Sequence, residues 1–364
     1  MSGDTLAAMG FDDWFRTRWE ALGSPSGLGR VVRLDRGWCT VLTGDGRADD
    51  EPLRVRTYGQ VAVGDWVVID ADGEKVEHVL ERWSAFVRRA SFEGARAQAH
   101  VLAANVHTVF LVHALGVRPS ERRLERELVL AYESGATPVV VLSKADLADD
   151  LAARVADVEA VTLGVAVHAV SVRTGLGVDG LRQYADGGRT VALLGSSGVG
   201  KSTLVNALIG RERQRTAEVR EGDSRGRHTT VAAELISLPG GGFLVDTPGL
   251  RAVNLWSGDE DTPHGLDRAF ADVLAVAEHC RFRDCRHEGE PDCAVRDALA
   301  AGTLSPSRVV SWQRLSAELV ALERESVEVE RAAAKGRRRG RRSGRGGPAI
   351  GDEADAEGNA EDDD

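Results

Sequence analysis

The sequence predicts a multidomain chain with a small N-terminal β-barrel, a central doubly wound α/β domain built on a phosphate-binding loop, and a C-terminal helical domain. Three observations carry this reading. Short alternating strands with turn signals fill residues 28–90. Residues 195–202 fit G-x-x-x-x-G-K-[ST] between a strand and a helix. Three cysteines and a histidine crowd between residues 280 and 293, amid helical periodicity.

Residues 1–27 read as a helical lead-in, amphipathic from Phe11 to Leu22. The strands that follow are Gly29–Leu34, Trp38–Leu42, Leu53–Arg56 and Asp65–Ile69, the last running into an Asp72-Gly73 turn. Residues 28–91 hold 10 basic and 11 acidic side chains, so net charge announces no nucleic acid there. Arg30, Arg33, Arg54 and Arg56 are candidates to gather on one barrel face, with ordinary solvated surface as the alternative for each. Cys39 reads as a buried thiol.

Residues 91–255 form the α/β domain. Leu124–Tyr132 has the spacing of a covering helix. Val139–Leu142 is a buried strand, followed at its C-terminal end by Ser143, Lys144, Ala145 and Asp146. A carboxylate at Asp146 accepts from both the N1–H and the exocyclic amine of guanine, a pair of donors that adenine lacks. Lys144 lays its aliphatic stem along the base. Farther on, the loop around Ser171 is placed to offer a backbone N–H to the guanine O6.

Val191–Leu194 reads as a strand and Thr203–Ile209 as a helix. Gly195, Ser196, Ser197, Gly198, Val199, Gly200, Lys201 and Ser202 make the loop between them, with Thr203 next in the helix. Glycines let successive N–H groups turn toward phosphate, and the helix N-terminus adds partial positive charge. Lys201 reaches the β- and γ-phosphates, and the Ser202 hydroxyl ligates Mg²⁺. Downstream, a hydrophobic strand ends in Asp246-Thr-Pro-Gly249, where Asp246 holds Mg²⁺ through water and the Gly249 N–H faces the γ-phosphate. Thr229 and Thr230 both stand where a switch threonine supplies Mg²⁺, and sequence alone does not choose between them. The guanine-reading motif precedes the phosphate loop, the reverse of the usual GTPase order. The chain therefore reads as a circularly permuted GTPase.

Residues 256–325 read as a helical domain around Cys280, Cys285, His287 and Cys293. Three thiolates and one imidazole complete a tetrahedral Zn²⁺ shell with no open position, which marks a structural site. The odd thiol count and the interposed histidine disfavour disulfides. His279 is an alternative ligand by position. Residues 326–364, a basic run from Lys335 to Arg345 followed by an acidic end, are expected to be a disordered tail.

The 364 residues carry a formal net charge of -11, which argues against indiscriminate coating of nucleic acid. No apolar run approaches the ~18–20 residues that span a membrane, and no secretory signal is visible, so no membrane association and a cytoplasmic location are expected.

From about Arg30 to Glu318 the chain resembles the ribosome small-subunit-dependent GTPase A family, most specifically in residues 222–230, 238–251 and 280–287. The resemblance implies that residues 28–90 are an OB-fold. It also implies that the chain is a monomer that binds the 30S subunit and 16S rRNA, cycles between GTP and GDP, and assists late 30S maturation. The zinc shell acquires the same support. Leu250 stands where a water-orienting Gln is common, so slow intrinsic hydrolysis is expected, with His228 beside the switch threonines positioning the water. Two departures stand out. Ser143 replaces the usual Asn, with one hydrogen bond that braces the loop against the base expected to be lost, and His107 replaces Asp at a strand edge, an exchange expected to be harmless. A general NTPase with loose base choice and a non-catalytic RNA-binding scaffold are the competing readings.

Overall fold

The computed structural model describes residues 3–43, 52–89, 99–116, 120–210, 233–247 and 265–343. Helices α1 (Gly3–Ala8) and α2 (Asp13–Ala21) open the chain. The Asp12 side chain accepts from the Phe15 N–H at 3.3 Å, the capping bond that starts α2. Phe11 and Phe15 are buried against Trp66, with ring centroids 4.9 and 5.8 Å from it, so the lead-in is packed onto the barrel.

Five strands follow: β1 (Leu28–Asp35), β2 (Trp38–Thr43), β3 (Leu53–Arg56), β4 (Trp66–Ile69) and β5 (Val76–Val79). They pair antiparallel in the order β3–β2–β1–β4–β5. A parallel bridge between Arg56 and Lys75 joins the two outer strands and closes the ring. Alternation puts Cys39, Val41 and Val55 inside with Val31 and Val67, a small core of its own. Cys39 is the buried thiol expected, and burial pushes it up to about 11.

The hairpin β6 (Ala85–Arg89) and β7 (Ala99–Ala104) comes next, so the 90/91 boundary read from the sequence falls inside a paired unit. Beyond it lie β8 (Thr108–Ala114), α3 (Glu121–Glu133), β9 (Thr137–Ser143), α4 (Leu151–Thr162), β10 (Val167–Ala169), β11 (Thr190–Leu194), α5 (Lys201–Ile209), β12 (Glu234–Ser237) and β13 (Phe243–Asp246). The sheet order is β10–β9–β8–β11–β13–β12, parallel except for β12. Every residue of β8 from Thr108 to His113, and all of β11, is buried, as strands covered on both faces require. Pairing of Arg33 with Glu234 joins β12 to β1, so sheet and barrel are hydrogen-bonded to each other.

Helices α6 (Gly265–Ala269), α7 (Ala271–Ala277), α8 (Ala294–Ala300) and α9 (Pro306–Ser343) complete the described chain. The tail expected to be disordered from residue 326 is helical to Ser343, in a stretch rich in Ala, Glu and Arg, which are strong helix formers. Among the described residues no helix is long and apolar enough to cross a membrane.

Candidate functional site

The strands of the α/β sheet run parallel, so the loops after β9, β10, β11 and β13 leave from one edge, the edge at which such sheets bind ligands. Ser143 ends β9, Ser171 follows β10, Gly195 follows β11 and Asp246 ends β13. All four sequence motifs therefore converge.

The phosphate loop needs its glycines. Gly195 has φ 143°, and a Cβ there would lie 2.4 Å from the Val112 carbonyl oxygen of β8. Gly198 and Gly200 also have positive φ, and Gly200 hands the chain to α5, whose first residue is Lys201. Lys201 is buried, and its ammonium donates to the carbonyls of Gly195 at 2.7 Å and Ser196 at 2.5 Å. Its charge thus lies within the loop. Ser202 stands beside it in the first helical turn, with its hydroxyl on the residue type that ligates Mg²⁺ in such loops.

The base-reading loop leans on the phosphate loop. Ser143, 6% exposed, donates from Oγ to the Val199 carbonyl at 2.5 Å. Lys144, at φ 57°, donates to the Gly198 carbonyl at 2.9 Å. The Ser143 hydroxyl thus ties the base-reading loop to the phosphate loop, a contact distinct from the loop-to-base bond expected to be lost with Asn. Asp146 accepts from Ser171 Oγ at 2.5 Å and from Arg173 Nε at 2.8 Å. The Ser171 bond, with Arg173 assisting, holds the Asp146 carboxyl below the usual carboxylate range.

Sequence reasoning missed Arg173, although it lies in the same short loop as Ser171, and missed the buried support behind the site. There His113 of β8 lies 2.8 Å from Glu127, which Arg123 also reaches at 2.9 Å. His107 is not idle: its Nδ1 accepts from the Thr190 N–H at 3.0 Å. Burial, with Arg30 and Arg189 nearby, pushes His107 down to about 4. Arg30 departs from the expected surface cluster. It is 1% exposed and donates to the Met9 carbonyl and to Thr190 Oγ1, each at 2.5 Å. Arg33, Arg54 and Arg56 do remain outside, and the last two each lie 5.1 Å from the Trp38 ring. His228, Thr229, Thr230 and Gly249 lie outside the described residues.

In the C-terminal domain the donor atoms of Cys280, Cys285, His287 and Cys293 all lie within 4.8 Å of one another. Cys280 Sγ is 3.9 Å from Cys293 Sγ, and His287 Nδ1 is 3.6 and 3.4 Å from those two sulfurs. A tetrahedron with Zn–S of about 2.3 Å and Zn–N of about 2.0 Å has edges of about 3.8 and 3.5 Å. The cluster fits a zinc ion, which His287 would ligate through Nδ1. His279 turns away and bonds the Ala275 carbonyl at 2.9 Å, which removes it as a ligand. Trp312 of α9 packs on the His287 ring at 5.4 Å and supports it from outside.

A family model described as RsgA GTPase matches residues 79–256. A Streptomyces coelicolor protein named small ribosomal subunit biogenesis GTPase RsgA is 45% identical over 327 residues, covering 86% of each chain. The chain belongs to the RsgA GTPase family. A Mesorhizobium japonicum protein of the same name is 39% identical, covering 87% of this chain and 90% of its own. The crystal structure of YjeQ from Thermotoga maritima matches with TM-score 0.59 and 27% identity, over 80% of this chain and 98% of that one. The crystal structure of YloQ, described as a circularly permuted GTPase, matches in fold with TM-score 0.57 and 24% identity over 81% and 95%. As an RsgA GTPase the chain hydrolyses GTP, a reaction in which Mg²⁺ accompanies the nucleotide.

Proposed function

We propose that this chain is a ribosome-assembly GTPase that binds the small (30S) subunit and its 16S rRNA, hydrolyses GTP when docked there, and leaves with GDP during late maturation. The observation that carries this reading is the junction of the two loops: Ser143 and Lys144 hold the base-reading loop on the phosphate loop of an RsgA-family chain. The relatives named for small-subunit biogenesis support the choice of partner. The site is assigned as follows. Asp146, with Lys144 and Ser171, reads guanine. Gly195 to Thr203 cradle the phosphates. Asp246 and Gly249 complete the γ-phosphate side.

Ser202 and Thr229 or Thr230 would hold Mg²⁺, which would supply neutralisation of phosphate charge. The protein supplies the rest by position. Lys201 leaves the carbonyls of Gly195 and Ser196 for phosphate oxygens and brings a buried positive charge to the transferring group. His228 orients the attacking water when the chain is docked on the subunit, the part that Leu250 does not provide.

The domains are read as an OB-fold at 28–90, a permuted GTPase domain at 91–255 and a zinc domain at 256–325 with one structural Zn²⁺, with the β6–β7 hairpin spanning the first boundary and α9 running past the last. The closed five-stranded ring supports the OB-fold assignment. On its outside, Arg54 and Arg56 beside Trp38 offer cations and an aromatic face to rRNA phosphates and bases. The chain works as a cytoplasmic monomer. Sedimentation of purified chain with 30S subunits tests the proposal. Pelleting with a non-hydrolysable GTP analogue and release with GDP are expected, and equal recovery with GTP analogue, GDP and no nucleotide would contradict a nucleotide-controlled docking role.

A further inference from the structure

We propose that Arg173 gates the guanine-reading carboxylate: it covers Asp146 until guanine displaces it, and so lowers the affinity for guanine nucleotides. The inference rests on the reading of Asp146 as the guanine acceptor. Two side-chain donors hold that carboxylate. Ser171 Oγ donates to Oδ1 at 2.5 Å, and Arg173 Nε donates to Oδ2 at 2.8 Å. Each oxygen thus has one donor, and the edge of guanine brings one donor for each.

The two donors stand on different sides of the carboxylate. Ser171 is fully buried, and its N–H donates to the Leu176 carbonyl at 2.9 Å, which closes the loop around Arg173. Its Oγ also accepts from the Thr174 N–H at 3.3 Å, which leaves its own proton for Asp146. That bond reaches the carboxylate from the protein side and leaves the outward lone pairs for a base. Arg173 comes from the solvent side. Its side chain is 74% exposed, whereas that of Asp146 is 11% exposed, so little of the carboxylate is open to a ligand while the guanidinium lies on it. An exposed ion pair contributes little, and Arg173 moves off at small cost. Ser171 stays and orients the acceptor. A ligand whose acceptor is covered part of the time binds more weakly in proportion to the open fraction.

Calorimetry on the full, zinc-loaded chain with GDP, xanthosine diphosphate and inorganic pyrophosphate, each with Mg²⁺, tests this. Arg173→Ala is expected to tighten GDP about threefold, the ordinary worth of an exposed ion pair. Pyrophosphate, which does not touch Asp146, is expected not to tighten. The gain with GDP is expected to shrink between about 0.05 and about 0.5 M KCl, because salt screens the pair in the parent. Arg173→Lys keeps a cation and is expected to bind GDP as the parent does. Asp146→Asn is expected to turn preference from GDP to xanthosine diphosphate, because an amide donates where the carboxylate accepted. In that background Arg173→Ala is expected to leave xanthosine diphosphate unchanged, since no ion pair remains to be removed. Unchanged or weaker GDP binding in Arg173→Ala, with the Asp146→Asn switch present, overturns the gate alone. An equal gain for pyrophosphate, or an equal gain in the Asp146→Asn background, also overturns it, since the effect would then not pass through the carboxylate. Retained GDP preference in Asp146→Asn overturns the guanine-reading assignment.

Discussion

The Arg30 guanidinium donates to the Thr190 hydroxyl at 2.5 Å, tying the first barrel strand to the start of the strand that leads into the phosphate loop. Its other end nitrogen holds the Met9 carbonyl of the lead-in, and its Cζ lies over the Phe243 ring of β13, 4.9 Å from the centroid. Three parts of the chain therefore meet on one buried cation, which burial holds down at about 9. Arg30→Ala leaves a cavity and two buried acceptors without donors and is expected to cost about 3 kcal/mol. Arg30→Met refills the volume and is expected to cost about half as much by the same reasoning. Denaturant melts of the three proteins check this; an alanine variant as stable as the parent would show that the tie contributes nothing.

His107 predicts a pH dependence. Its folded pKa, about 4, lies below the ordinary 6.5, so its neutral form is the one that fits. The associated stability is complete above pH 6.5 and is lost as pH falls from there through 4. At about 1.36 kcal/mol per pKa unit the loss approaches about 3 kcal/mol. His107→Asn keeps an acceptor for the Thr190 N–H and does not titrate. The expected outcome is that melts between pH 7 and pH 4 show a smaller fall in the variant than in the parent.

The motifs were legible because each is local. Gly195–Ser202, Ser143–Asp146 and Cys280–Cys293 are short runs whose chemistry follows from residue type and spacing. The contacts between runs were not legible. Arg30 and Thr190 are 160 residues apart, and an arginine in an alternating strand gives no sign of which partner it has. Ser143 shows the same limit. Its residue type gave no sign that its hydroxyl reaches the Val199 carbonyl of the phosphate loop, 56 residues away. The helix through Ser343 differs again, because charge composition masked strong helix propensity.

The zinc cluster is expected to be stoichiometric and structural. Metal analysis should find one zinc per chain, and Cys293→Ala should remove it, since a lost thiolate leaves the shell incomplete. Chelation should change the fluorescence of Trp312, which packs on His287, and Trp312→Phe should abolish most of that change.

His228→Ala separates binding from chemistry. The variant is expected to bind GTP and the 30S subunit as the parent does and to lose about 100-fold of subunit-stimulated hydrolysis, the ordinary worth of a positioned water-handling side chain. Single-turnover rates on saturated complexes measure it, and a full rate would remove His228 from the mechanism.

The most direct test of the account is hydrolysis of GTP and of ATP by the zinc-loaded chain, with and without purified 30S subunits. The account predicts slow GTP turnover alone, a sharp rise with 30S, and little ATP use in either case. Equal use of ATP, or a GTP rate indifferent to 30S, would contradict it.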